Sequence, residues 1–359
     1  MIKIILAKLS REDFMWNFIH SKISLFIILI ISLNQIILSQ NVSKTGTTAA
    51  SFLEIGIGGS ANAMGGAFVG LANDASALYW NVGGITNMER YEAIVVHMDW
   101  IADTKLDYAG LVIPLGDFGN FGFSFTSLSM EDMKVTTVDQ PDGTGEYFSS
   151  SNLAIGLSYA KKLTDRFSVG ITGKYIKESI WHMTASAIAF DAGTTFRTDL
   201  LGGMTIGAVI SNFGTEMQMD GRDARYTIRV DENKQGSNEN IPTNIEMDSW
   251  GLPLHFQIGV STCPIKTEDY QLIISTDAII PNNDYQSLNV GAEFSFINVF
   301  YVRGGYNSLF LKDTEGGLTF GAGVSSDMLL STAEVNFDYA FRDFGKLTNV
   351  HSFSLGIKF

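Results

Sequence analysis

Residues 333–342 read AEVNFDYAFR and residues 350–359 read VHSFSLGIKF. In the first run Val335, Phe337, Tyr339 and Phe341 share one face of an extended chain, and Glu334, Asn336, Asp338 and Arg342 share the other. In the second, His351, Phe353, Leu355, Ile357 and Phe359 alternate with Ser352, Ser354, Gly356 and Lys358. A period of two is the mark of a strand, because successive side chains leave opposite sides of the pleat. Alternation alone does not separate a soluble sandwich from a transmembrane barrel. Strand length, the contents of the small or polar face and the order of loop lengths do.

The same pattern extends upstream. Phe121, Phe123 and Phe125 interleave with Gly122, Ser124 and Thr126, and Leu153, Ile155, Leu157 and Tyr159 with Asn152, Ala154, Gly156 and Ser158. From Tyr91 onward no window keeps a helical stripe. Alternation predicts strands at 91–100, 105–115, 119–129, 151–162, 166–178, 184–197, 203–213, 252–263, 270–280, 286–297, 299–307, 317–326, 333–342 and 350–359. Most approach the roughly 9–11 residues that a tilted strand needs to cross a bilayer, against about five or six in soluble sheets. The even number returns both ends of the barrel to one side. The two long connections, 130–150 and 214–251, then fall on the same outward end, and the inward turns stay short, which is the outer-membrane arrangement. The expected fold is all-β: a 14-stranded antiparallel transmembrane β-barrel over residues 91–359. Phe359, ending an alternating strand, resembles the signal read by the bacterial barrel-assembly machinery.

Composition agrees. The 359 residues are 45% hydrophobic and 17% charged, with 36 Gly, 25 Phe and 12 Tyr against 6 Pro, which excludes a disordered chain, collagen and a coiled coil. The single Cys263 excludes an internal disulfide and a thiolate cluster. A net charge of −14 argues against nucleic acid as a partner. Ile23 to Leu38 form an apolar run behind basic residues, shorter than a spanning helix and followed by Ser39. Residues 1–39 therefore read as a cleaved export signal, with Met15 as an alternative start. The destination is the bacterial outer membrane, with its lipid as a partner.

Residues 40–90 form a different unit, a plug. They lack alternation and are rich in Gly, Ala and Asn, so their backbone can pack closely inside the barrel. Asn73 or Asp74 is expected to cap one helical turn through Ala75, Ser76, Ala77 and Leu78, ended by Gly83 and Gly84. The run Ala63-Met64-Gly65-Gly66-Ala67, then Ala72-Asn73-Asp74-Ala75-Ser76-Ala77-Leu78-Tyr79-Trp80-Asn81, resembles the N-terminal signature of the PorV/PorQ family of outer-membrane proteins, relatives of the FadL fatty-acid transporters. This chain has Val82-Gly83-Gly84 where that family continues Pro-Ala-Gly. The resemblance implies a 14-stranded barrel with an N-terminal plug. It also implies a role in type IX secretion in Bacteroidota-like bacteria, with the translocon and secreted cargo carrying C-terminal secretion domains as partners.

Catalytic and metal motifs are missing. His97, His182, His255 and His351 lack metal-binding spacing, and no nucleophile elbow or phosphate loop is present. No enzyme activity, cofactor or metal is expected. The acidic residues Asp139, Asp142 and Glu146, and Asp220, Asp223, Asp231 and Glu232, read as solvated loops and not as a calcium site. Trp80, Trp100, Trp181 and Trp250 read as interfacial aromatic residues. Lys174, Arg197, Glu293, Arg303, Glu334, Asp338 and Arg342 have inward parity, and buried charges require partners or water. A plugged, ion-paired lumen is expected. Function reads as a non-enzymatic secretion component binding or shuttling cargo at the cell surface, with a FadL-like passive conduit for hydrophobic small molecules as the alternative.

Overall fold

The structure is a computed structural model and describes residues 46–200, 203–229, 240–311, 314, 316–326 and 333–359. The export-signal segment 1–39 lies outside the described residues, as do Asp231 and Glu232.

Fourteen strands close into one antiparallel barrel. They are β1 (Glu92–Trp100), β2 (Thr104–Pro114), β3 (Asn120–Met130), β4 (Ser150–Thr164), β5 (Phe167–Ile180), β6 (Met183–Thr198) and β7 (Met204–Gly214). The second half comprises β8 (His255–Lys266), β9 (Tyr270–Pro281), β10 (Ser287–Phe296), β11 (Phe300–Leu309), β12 (Leu318–Ser325), β13 (Glu334–Asp343) and β14 (Asn349–Lys358). Every strand pairs with its sequence neighbours. Closure comes from β1 against β14, in register from Glu92↔Lys358 to Asp99↔His351. Phe359 follows the last strand; its amide donates to the Tyr91 carbonyl at 3.0 Å and its ring stacks on Tyr91 at 5.7 Å, 54% exposed on the wall.

Both long connections leave the same end of the barrel. The one after β3 carries a ribbon of Met133–Lys134 with Tyr147–Phe148. The one after β7 carries Met217–Gln218 with Ser249–Trp250, and Arg225–Ile228 with Ile241–Asn244. Its Asp220–Gly221 adds two residues to the edge of β6. The opposite end has short turns such as Gly116–Phe118.

Residues 46–90 thread the lumen. A 3-10 turn at Ser51–Glu54 is followed by helix α1 (Gly59–Ala63), helix α2 (Ala77–Trp80) and a 3-10 segment at Val82–Asn87. The expected turn forms and runs on into α2: the Asp74 carboxylate accepts from the Ser76 amide at 2.8 Å and its carbonyl from the Ala77 amide at 2.9 Å, the bonds of a cap. Asn81, extended at φ −163°, ends α2, and its side chain accepts from the Gly83 amide, so Gly83 and Gly84 lie within the next segment and do not terminate a helix.

Polarity does not run one way around the wall. Over most strands the apolar face is outward, as at Leu157, Ile171, Ile188, Phe294, Val302 and Phe320. Toward the long loops, β1 and β2 reverse it: Val96, Met98, Leu106 and Tyr108 point inward and are buried, while His97, Asp99 and Asp107 project outward. Nearer the short turns both faces are apolar, with Ile94 and Val112 buried inside and Val95 exposed outside. The reversal locates the membrane boundary. Val95, Ala109, Phe125, Ile155, Tyr175 and Ile188 form one cross-strand row. The next outward-facing row toward the long loops is His97, Asp107, Ser127, Leu153, Lys177 and Ser186. Charge on the lipid face is disfavoured with depth, so His97, Asp107 and Lys177 mark where the lipid-facing belt is expected to end on β1, β2 and β5. In a Cys263→Ser background, cysteine at Asp107 or Lys177 should react with a membrane-impermeant maleimide added from the long-loop side, and cysteine at Ala109 or Tyr175 should not. Equal labelling across the rows would refute this boundary.

Candidate functional site

The plug is stitched around most of the lumen. Asp277 on β9 accepts the Phe68 and Val69 amides, each at 2.8 Å, and Glu92 on β1 accepts the Ala75 amide at 2.7 Å. Asn120 on β3 donates to the Ile85 and Met88 carbonyls, Asn307 on β11 to Gly65, and Thr319 on β12 to Ala63. Ser354 on β14 accepts from the Gly59 amide at 3.1 Å. These bonds satisfy backbone groups that a non-alternating segment cannot pair by itself. Bonds to carboxylates are the strong members of the set.

Glycines in the wall carry the imprint of this segment. A Cβ at Gly291 would lie 2.3 Å from the Met64 oxygen, at Gly305 2.4 Å from the Met64 carbonyl carbon, at Gly207 2.3 Å from the Val69 oxygen, and at Gly321 2.4 Å from the Ala63 Cβ. In the plug, Gly65 and Gly66 sit at φ 69° and 76°, the left-handed region that favours glycine.

The residues of the sequence signature sit at the centre of this packing. Ala63 and Met64 are fully buried against β10, β11 and β12. The Trp80 indole donates to the Ile57 carbonyl at 2.7 Å, with Tyr79 edge-on to its ring at 5.0 Å. Asn81 is fully buried and donates to Val69 within the plug and to Thr194 on β6. Asn73 and Asp74 border a cavity at the short-turn end.

The inward charges form separate groups. Arg303 joins Glu293 at 2.5 Å and Asp338 at 2.6 Å. Lys174 joins Asp191 at 2.8 Å and also donates to Asn212, which stands in a left-handed conformation at a β6–β7 bulge. Glu334 takes Lys358 at 2.8 Å and Arg90 at 2.9 Å. Arg197 is exposed near the short-turn end of β6 and belongs to no lumen pair among the described residues, because its strand runs past the plug there. Arg342 faces a cavity. Asp277, Glu92, Asp191 and Lys358 complete the network and were not singled out by sequence. Their parity marks them as inward, but the partners of Asp277 and Glu92 are backbone amides, which leave no trace in residue type.

Cavities border the plug at both ends, and two of them meet lumen charges. One of about 90 Å³ at the short-turn end is bordered by Asp74, Glu92, Arg303, Glu334, Asp338 and Lys358. Burial raises the Asp74 carboxyl above its ordinary range, opposed by the Ser76 hydrogen bonds. The other, about 190 Å³ at the long-loop end, is bordered by Glu54, Trp80, Gln257, Ser287 and Arg342 among others. The β1–β6 side of the lumen is different in kind: Val96, Met98, Leu106, Tyr108 and Ile176 form a continuous apolar cluster with plug residues Phe52, Leu53, Ile55 and Leu78.

The histidines remain dispersed, His97 with Asp107, His182 with Asp223, and His351 with Tyr339. Among the described residues no His, Cys, Asp and Glu side chains converge as a metal site. The loop ribbons present exposed Tyr226, Ile228, Ile241, Ile245 and Trp250.

The architecture is shared with solved barrels. The CymD monoaromatic hydrocarbon channel is similar over 85% of this chain and 97% of that one, at 13% identity and a TM-score of 0.52. The Pseudomonas putida toluene transporter TodX is similar over 84% and 97%, at 12% identity and a TM-score of 0.50. At such identities the likeness is one of fold. No curated protein matches the chain. Residues 30–359 match the model of the uncharacterised protein family UPF0164, and the chain belongs to that family.

Proposed function

We propose that this protein is a FadL-like outer-membrane conduit for apolar small molecules, non-enzymatic and closed at rest by its plug. The observation that carries this reading is the apolar lumen wall of β1, β2, β5 and β6, covered by the plug's own Phe52, Leu53, Ile55 and Leu78. An aqueous pore is lined by polar groups. A wall of Val, Met, Leu and Ile side chains offers an apolar solute the environment that the plug now occupies, and moving the plug would transfer the contact. The likeness in fold to the CymD hydrocarbon channel and the toluene transporter TodX supports the reading. The long loops then face the cell exterior.

The test is uptake of a labelled monoaromatic hydrocarbon by cells expressing the protein in an outer membrane lacking such conduits. Uptake should rise several-fold with the wild-type chain. No rise, with the barrel shown to be folded in the membrane, would sink the proposal.

A secretion role has its own support. The plug signature resembles that of PorV/PorQ proteins, and the apolar side chains Tyr226, Ile228, Ile241 and Ile245 are exposed together on one loop ribbon. Such a patch fits a protein partner, here a type IX translocon or its cargo. Co-purification of those chains from native membranes, with no gain in hydrocarbon uptake, would move the weight to this reading.

A further inference from the structure

We propose that the cavity on the long-loop side of the plug binds a small hydrophilic oxyanion, a carboxylate or phosphate on a hydrogen-bonding body, through Arg342. The inference goes beyond the conduit reading and does not depend on it. It starts from an imbalance in the lumen. Arg303, Lys174 and Lys358 each meet a carboxylate at 2.5 to 2.8 Å. Arg342 meets none among the described residues. Its contacts are a long hydrogen bond to the Asn62 side-chain oxygen, at 3.4 Å, and the face of the Phe344 ring, at 4.8 Å. A guanidinium carries five donors in a fork that matches carboxylate and phosphate, and withdrawing it from water without a counter-charge is unfavourable. This one borders a cavity of about 190 Å³.

A second observation is independent of charge. Gln257, 8% exposed, and Ser287, 7% exposed, border the same cavity, and their side chains have no hydrogen-bond partner among the described residues. Buried amides and hydroxyls are normally paired, and these two remain open to whatever fills the cavity, water included. Trp80 and Tyr285 add flat aromatic walls. An apolar cavity of about 150 Å³ holds a benzene ring, so the volume suits a compact molecule and not an extended chain. Two carboxylates share the cavity. Asp284 is exposed, where water screens it. Glu54 is exposed as well and accepts from the Asn283 side chain, so water screens it too.

The test is calorimetric titration of the full barrel in detergent with inorganic phosphate, with succinate, and with dodecanoate below its micellar concentration. Phosphate or succinate should bind, Arg342→Gln should weaken that binding about tenfold to hundredfold, and Arg342→Lys should fall between, since it keeps the charge and loses the fork. Gln257→Leu should weaken it several-fold and serves if Arg342→Gln does not fold. No binding of either small anion, or binding unchanged in Arg342→Gln and Gln257→Leu, would overturn the assignment. Arg342-dependent binding of dodecanoate alone would also overturn it, and would make the cavity a headgroup site for an amphiphile. A failed hydrocarbon-uptake assay leaves this site standing, and a failed titration leaves the conduit standing.

Discussion

Leucine at Gly305 is expected to unseat the plug and open the barrel to ions. Gly305 faces the lumen on β11, where even a Cβ would lie 2.4 Å from the Met64 carbonyl carbon and 2.5 Å from the Gly65 amide nitrogen. Those atoms are backbone, so no rotamer change relieves the collision. The strand itself has no need of glycine here, because its ladder bonds to β10 and β12 are made by backbone groups that a side chain leaves intact. The wall should therefore form, and the plug should give way. Overpacking of this kind costs about 1–3 kcal/mol per site, and a second change at Gly291, whose Cβ would meet the Met64 oxygen at 2.3 Å, acts on the same plug residue. Together they should shift the seated-to-unseated ratio by about a hundredfold or more. Asp277→Leu should act in the same direction by a different route, removing the acceptor of the Phe68 and Val69 amides. Single-channel recording in planar bilayers reads the outcome. The wild type should be closed at most times, and the Gly291→Val, Gly305→Leu double variant should conduct persistently. A double variant as silent as the wild type, with the barrel folded, would show that the lumen is not closed by this segment.

How much of this was legible depended on which partner each residue has. The strands were readable because lipid and lumen impose a period of two on every one of them, and the observed ends fall within three residues of those read from alternation. Alternation does not say which face is inward, and β1 and β2 exploit that freedom. Val96, Met98, Leu106 and Tyr108 carry the same period as lipid-facing residues elsewhere but belong to one buried cluster with Phe52 and Leu53 of the plug. Their inward direction depends on the plug, some forty residues earlier in the chain, and on the height of the membrane boundary, neither of which a strand encodes. Parity also located Glu293, Arg303 and Asp338, whose partners are one another. It said little about Arg197, since parity fixes direction and not depth, and this residue stands near the exposed end of its strand. Asp277 was the hardest to see. Its partners are amides of the plug, 208 and 209 residues away in sequence, and every residue type but proline supplies such a donor.

Removing Arg303 should destabilise the barrel more than removing the whole charge group around it. Arg303 and Glu293 side chains are each 6% exposed and Asp338 14%, so the three charges have left most of their water and depend on one another. Gly323 makes the room, since a Cβ there would fall on the Asp338 carboxylate and the Arg303 guanidinium. With Arg303→Met the arginine's volume is roughly kept, but Glu293 and Asp338 remain as two carboxylates without a cation. Breaking a buried pair in this way costs about 3–5 kcal/mol, and the small water-accessible cavity beside the group places the expected loss toward the lower figure. The triple variant Glu293→Gln, Arg303→Met, Asp338→Asn removes every charge and should return to within about 1 kcal/mol of the wild type, because neutral replacement spares the desolvation that the ion pairs must offset. The midpoint of urea unfolding, followed by the loss of the compact barrel's gel mobility, measures both. If Arg303→Met matched the wild type, water would be reaching the carboxylates and the inner lumen would be wet, not ion-paired. If the triple variant were as weak as the single one, the group would matter for its shape against Ser60 and Asn73 of the plug, and charge would be incidental.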